Sequence, residues 1–253
     1  MDITSYLQRI LFSGPIVPDI QTLIAIHEQH IYQVPFENLD IRYNQLFSLQ
    51  LEKVYEKIVT QMRGGFCYEL NLIFNWLLNK IGFSSKLISS RIFDDAGNPG
   101  PEFDHMLVHV KTDKEYLADV GYGDLFIRPL EIRAGVQSDG RNFFKIEKYN
   151  DENFLLSMSP NGIKFQKKYI FNLMHVTPDA FEEICLYKQT NPESYFVKNT
   201  ICTKPTKTGR VTIFNNKLIE KTTSRRFEDI ITDENHLKKL LRTKFGIELG
   251  LSM

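Results

Sequence analysis

A cysteine, a histidine and an aspartate, at positions 67, 105 and 119, each stand in a sequence context that could make them reactive. Cys67 lies in RGGFCYELN (63–71). There Gly64-Gly65 permits a sharp turn and a close approach of backbone to a ligand, and an apolar helical pattern begins directly afterwards. A cysteine in the first turn of a helix feels roughly +0.5 elementary charge from the helix N-terminus, which favours thiolate over thiol. Cys67 is therefore a candidate nucleophile. The competing reading is a small buried hydrophobe, the common role of a free cysteine.

A thiol nucleophile needs a base, and the base needs an orienting group. His105 opens the run HMLVHVK (105–111) directly after the loop DDAGNPGPEFD (94–104), where a ring can face a cleft. Asp119 sits in EYLADVGYG (115–123), read as the next strand. A hairpin about Asp113-Lys114 brings Asp119 one diagonal step from His105, and a small bulge puts both side chains on one face. A buried aspartate in an apolar strand needs a partner, which His105 supplies; as a turn former before glycine it would need none. Helix terminus, histidine and carboxylate together predict that Cys67 and His105 rest as a thiolate–imidazolium pair.

The other histidines point to no metal. His27 and His30 are three apart on a helix with no further ligand nearby in sequence, and read as solvated or half-buried. His105 and His109 share a strand face but stand about 13 Å apart. No phosphate-cradling glycine loop is present, since GYGDLF (121–126) lacks the third glycine. Lys204, Lys207 and Arg210 in TKPTKTGR (203–210) read either as a phosphate-holding cluster or as an ordinary solvated turn.

The elements that must position these residues fall in three stretches. Residues 1–83 read as a helical bundle carrying the nucleophile. Asp2 and Asp19 open its first helices, VPFENLDI (34–41) is extended, and a helix after Gly65 ends at Gly82. Residues 84–190 read as antiparallel strands carrying the histidine and aspartate, with turns at Asp113-Lys114 and Pro160-Asn161-Gly162. Residues 191–253 read as an α/β tail, with a hairpin at Asn215-Asn216 and a last helix capped by Thr232 or Asp233. The class is α+β.

Composition narrows the partners. Lys plus Arg and Asp plus Glu are 31 each, so the formal charge is zero, which argues against nucleic acid or an anionic membrane as main partner. No apolar run reaches the ~18 residues of a membrane span. The N-terminus carries Asp2, and Arg9 interrupts its apolar stretch, so no signal peptide is expected. Three cysteines, Cys67, Cys185 and Cys202, suit free thiols in a reducing compartment, and a cytoplasmic location is expected.

In their order and spacing, RGGFCYELN, HMLVHV and YLADVGYG resemble the arylamine N-acetyltransferase family, of bacterial type. VPFENLDI resembles its VPFEN segment, and QTNPESYF (189–196) and TGRVTIF (208–214) resemble its tail more loosely, so the similarity spans about residues 5 to 250. The resemblance implies a helical bundle, a β-barrel and an α/β lid, with a cysteine-protease-like core and a Cys67–His105–Asp119 triad. It implies acetyl transfer from acetyl-CoA, as co-substrate, to small aromatic amines or hydrazines through an acetyl-cysteine. It implies substrate contacts at Phe36, Tyr122, Phe103 and Asp104, a CoA contact at Gly123, where Lys204, Lys207 and Arg210 could add charge, and a supporting pair Arg63–Glu37. Two departures stand out: Tyr122 where the family more often has Phe, and Glu102-Phe103-Asp104 where it often has small or hydroxyl residues. The implied oxyanion donors are the N–H of Cys67 and one from residues 101–104. A transglutaminase-like or papain-like thiol amidase, and a non-catalytic CoA or aromatic-ligand binder, are the rival readings.

Overall fold

The computed structural model describes residues 1–249; the last four positions of the 191–253 stretch lie outside them. Helices α1 (Ile3–Arg9) and α2 (Ile20–Gln33) begin at Asp2 and Asp19, whose carboxylates accept from Ser5 and Thr22 N–H. Each satisfies a donor that the first helical turn leaves open. A two-residue strand, β1 (Phe36–Glu37), and a short helix, α3 (Leu39–Arg42), follow. VPFENLDI is thus extended only as far as Asn38; beyond it the chain turns helical. Helix α4 (Leu51–Tyr55) runs on as a π-helical turn over Glu56–Thr60.

Helix α5 (Cys67–Ile81) is the spine of the molecule. Leu70, Ile73, Phe74, Leu77 and Leu78 are completely buried, and at about 1.5–3 kcal/mol per buried large apolar side chain they anchor it. Gly82 ends it in the left-handed conformation (φ 107°), open to glycine at little cost.

The central sheet has eight antiparallel strands: β2 (Ser84–Ile92), β3 (His105–Lys111), β4 (Glu115–Ala118), β5 (Leu130–Glu131), β6 (Val136–Ser138), β7 (Phe143–Lys148), β8 (Phe154–Ser159) and β9 (Gln166–His175). Their spatial order is β5-β4-β3-β2-β9-β8-β7-β6. The edge strands β5 and β6 face each other, and a side chain nearly closes the barrel: Gln137 Nε2 donates to the Glu131 carbonyl (2.6 Å) and Glu131 N–H to Gln137 Oε1 (2.9 Å). Inside sit Ile88, Leu107, Leu117, Phe144, Leu156 and Phe171.

A 3₁₀ turn at Pro178–Phe181 leads into α6 (Glu182–Thr190), then α7 (Tyr195–Lys198). The second sheet is β1-β10-β11-β12-β13, with β10 (Ile201–Thr206), β11 (Gly209–Phe214), β12 (Lys217–Thr222) and β13 (Arg226–Ile230). Helix α8 (Glu234–Leu240), capped by Asp233, packs Leu237 and Leu240 against it. The sheet draws its first strand from the N-terminal third, with Phe36 opposite Thr203 and Glu37 opposite Cys202. Among the described residues no helix is long and apolar enough to cross a membrane.

Candidate active site

The segment before Cys67 is held in place by charge and close packing. Arg9, buried on α1, donates to the carbonyls of Ile58, Gln33, Met62 and Arg63 and so fastens the approach to α5. Arg63 donates to Glu37 Oε1 (2.8 Å) and Asp40 Oδ1 (2.7 Å), and Lys57 to Glu69 (2.8 Å) and Asp40 (2.7 Å). Glu69 also reaches back to accept the Phe66 N–H (2.8 Å). Two cations meet three carboxylates, as buried charges require. The Arg63–Glu37 pair is present, inside a larger network. The glycines serve packing: a Cβ on Gly64 would fall 2.2 Å from the Pro35 carbonyl oxygen. Glu37 N–H donates to the Gly65 carbonyl (2.9 Å), which joins β1 to this segment. Cys67 is then the first residue of α5, 4% exposed.

His105 opens β3 and is 1% exposed. Its Nε2–H donates to Asp119 Oδ2 (2.9 Å), because a carboxylate can only accept. The other ring nitrogen, Nδ1, is left for a thiol. Positions that pair across β3 and β4 follow the expected hairpin, with Val108 opposite Ala118. No bulge is needed, however. The strand stops at Ala118, and Asp119 leaves the ladder to reach the histidine.

Asp119 is completely enclosed by partners. Its Oδ1 accepts from Asn71 Nδ2 (2.9 Å) and Gly121 N–H (2.9 Å). Burial alone would raise its carboxyl, but His105 and these hydrogen bonds outweigh it and hold it below the usual carboxylate range. Asn71 stands four residues from Cys67 on one face of α5 and also binds the Met106 carbonyl and Val120 N–H, so a single helix carries the nucleophile and the clamp on the acid. Gly121 lets the loop press onto α5: a Cβ there would lie 2.6 Å from Asn71 Nδ2 and 2.7 Å from the Cys67 carbonyl oxygen. The sequence reading did not single out Asn71 or Arg9, though Asn71 closes the quoted motif at helical spacing.

His27 and His30 are completely buried rather than half-solvated. His27 Nδ1–H donates to the Ile127 carbonyl (3.0 Å), and its Nε2 accepts the Asp119 N–H (3.2 Å), so it ties both ends of loop 119–127. The Tyr6 hydroxyl and His30 Nδ1 share a hydrogen bond (2.8 Å). Burial pushes His27 down to about 4 and His30 well below its ordinary value. In the unfolded chain both would titrate near about 6.5. The unfolded state therefore binds more protons below that pH, and the stability these residues contribute is complete above it and lost as pH falls towards 4. Denaturant titrations are expected to show stability dropping between pH 6.5 and 4.5, by at most about 1.4 kcal/mol per pH unit per histidine. Equal stability at both ends of that window would contradict the assignment.

Cys67 and His105 line one cavity of about 370 Å³ with Phe36, Tyr122, Gly123 and Lys188. Of the expected substrate contacts, Phe36 and Tyr122 face this space. Phe103 and Asp104 do not line it. Phe103 adopts φ 58°, donates its N–H to Ser89 Oγ and meets the Phe181 ring edge to face, so its amide is taken and is no oxyanion donor. Asp104 is bonded to Lys188 (2.7 Å) and to Ile92 N–H. The basic cluster is dispersed too, because Lys204 and Arg210 project from opposite faces of the β10–β11 hairpin. Lys204 covers the Phe245 ring, Arg210 binds the Gly123 carbonyl, Thr203 and Asp124, and only Lys207 is exposed.

The resting thiolate–imidazolium pair meets an opposing force. Burial drives the Cys67 thiol up, Lys188 pulls it down, and Cys185, Asp104 and Asp119 add to the rise. Enclosure was not visible in the local sequence, which showed only the helix terminus.

Comparison with known proteins places this arrangement. The N-acetyltransferase family profile matches residues 19–253. A chicken (Gallus gallus) pineal gland arylamine N-acetyltransferase, isozyme NAT-10, is 30% identical, with 98% of this chain and 95% of the relative covered. The structure of the M. smegmatis arylamine N-acetyltransferase superposes with a TM-score of 0.90 at 28% identity, covering 99% of this chain and 93% of the other. The Mycobacterium marinum enzyme in complex with CoA shares the fold, with a TM-score of 0.87 at 24% identity, covering 97% and 93%.

Proposed function

The chain belongs to the arylamine N-acetyltransferase family, and on that premise we propose that it carries acetyl from acetyl-CoA to the nitrogen of arylamines, arylhydrazines or similar amines. The observation that carries this reading is the His105–Asp119 hydrogen bond beside Cys67 in one cavity. In the first step the Cys67 sulfur attacks the thioester carbonyl, the C–S bond to CoA breaks, and CoA leaves as its thiol with the proton that His105 took from Cys67. In the second, the amine attacks acetyl-Cys67 while His105 Nδ1 accepts the amine proton and returns it to the departing sulfur. Asp119 fixes the tautomer that leaves Nδ1 basic and stabilises the imidazolium. The Cys67 N–H, first in α5 and without an intrahelical acceptor, faces the developing oxyanion.

Phe36 and Tyr122 are the acceptor-facing surfaces of the proposal, and Gly123 and Lys207 its CoA-facing ones. The free thiols of Cys67, Cys185 and Cys202 support a cytoplasmic setting. Family membership does not favour the thiol-amidase or non-catalytic readings. Steady-state kinetics test the proposal. Varying acetyl-CoA at several concentrations of an aniline or hydrazine acceptor is expected to give parallel double-reciprocal lines; converging lines would mean direct transfer without an acetyl-enzyme.

A further inference from the structure

Among the described residues, Lys188 is the only lysine or arginine that lines the cavity, and no step of the proposed reaction uses it. It lies on α6, with a side chain 11% exposed. Its ammonium donates to Asp104 Oδ1 (2.7 Å) and to the Asp104 carbonyl, and sits near the Tyr68 and Phe196 rings at 5.8 and 5.6 Å from their centroids. Tyr68 donates its hydroxyl to the Phe103 and Asp104 carbonyls (3.0 Å each). The main chain leading into His105 is therefore gripped from α5 and α6 together. Lysine is costly to bury, and a lysine so placed needs its carboxylate. Asp104 is that carboxylate.

We propose that Lys188 is a positioning residue for acyl transfer: fixed by Asp104, its charge favours the Cys67 thiolate, while its grip on residue 104 sets the position of His105. This rests on the acetyl-cysteine reading above. Among the described residues, the charged and titratable groups around the sulfur and its cavity are Tyr68 on α5, Lys188 and Cys185 on α6, Tyr195 on α7, Asp104 before β3, His105 on β3, and Asp119, Tyr122 and Asp124 after β4. Among the influences on Cys67, burial pushes the thiol up most and Lys188 is foremost in opposing it, ahead of the contrary effect of Asp104. Removing both members of the pair is therefore expected to leave the thiolate less favoured than in the wild type.

Iodoacetamide labelling of Cys67 against pH, followed by peptide mapping, tests this without acetyl-CoA. Lys188→Met is expected to raise the pH midpoint by about one unit, the scale of a nearby charge, and to slow acetylation at pH 7 about tenfold. Lys188→Arg should keep the wild-type midpoint. The double variant Lys188→Met/Asp104→Asn, which leaves no unpaired buried charge, should keep a raised midpoint and decides the matter where the single variant fails to fold. A double variant that folds and labels with the wild-type midpoint would overturn the proposal, whatever its activity, because a purely structural role lowers rate without moving the titration. If the wild type itself gave no acetyl adduct with acetyl-CoA, the proposed function would fail instead, and the labelling result would still stand.

Discussion

Cys67→Ser is expected to abolish acetyl transfer, by at least about 10³-fold, while leaving the fold intact. Oxygen for sulfur barely changes the volume of a side chain that is 4% exposed at the start of α5. What changes is acidity: a serine hydroxyl does not ionise near neutral pH, and the same enclosure that raises the thiol would raise a hydroxyl from a far higher starting point. Cys185 and Cys202 are also buried and free, and they cannot substitute, because neither lines the cavity with His105. Transfer assays on the folded variant check this. Retention of more than a small fraction of activity would remove Cys67 from the role of nucleophile.

Asp119→Asn is expected to cost about 10³-fold or more, in line with loss of the orienting carboxylate in serine triads. The hydrogen bonds around the side chain dictate how the amide would sit. Asn71 Nδ2 and the Gly121 N–H both donate to Oδ1, so the oxygen of an asparagine must stay there. Its NH₂ is then forced towards His105 Nε2, which can only accept from it. The imidazole proton moves to Nδ1, the nitrogen needed as base, and the ring can no longer take the Cys67 proton. Circular dichroism should report a folded protein, since the volume and the two donors are preserved. A variant within tenfold of wild type would mean that another acid orients His105.

The parts of the fold legible in the sequence are those set by local signals. Asp2, Asp19 and Asp233 as caps, Gly82 as a helix end, β3 from His105 to Lys111 and the Asn215-Asn216 hairpin all lie where patterning puts them. What escaped is non-local. β5 and β6 are two and three residues long, too short for a period of two to show, and they exist because the barrel must close. β13 was not read as a strand, and β1 pairs with β10 across more than half the chain. The site was legible to the same degree. Cys67, His105 and Asp119 announce themselves by residue type beside glycines and strand ends. Their supports do not: His27 meets Asp119 only through the backbone, Arg9 holds four carbonyls, and Lys188 reaches Asp104 over a separation that no local pattern encodes. Enclosure, which sets the Cys67 equilibrium, is a property of the packed molecule alone.

The central claim is a covalent acetyl-enzyme at Cys67, and intact-protein mass spectrometry after incubation with acetyl-CoA alone tests it most directly. The account predicts a gain of about 42 Da, one acetyl group less a hydrogen, that peptide mapping assigns to Cys67 and that an added arylamine removes. An unmodified protein, or an adduct on Cys185 or Cys202 that the amine leaves in place, would contradict it.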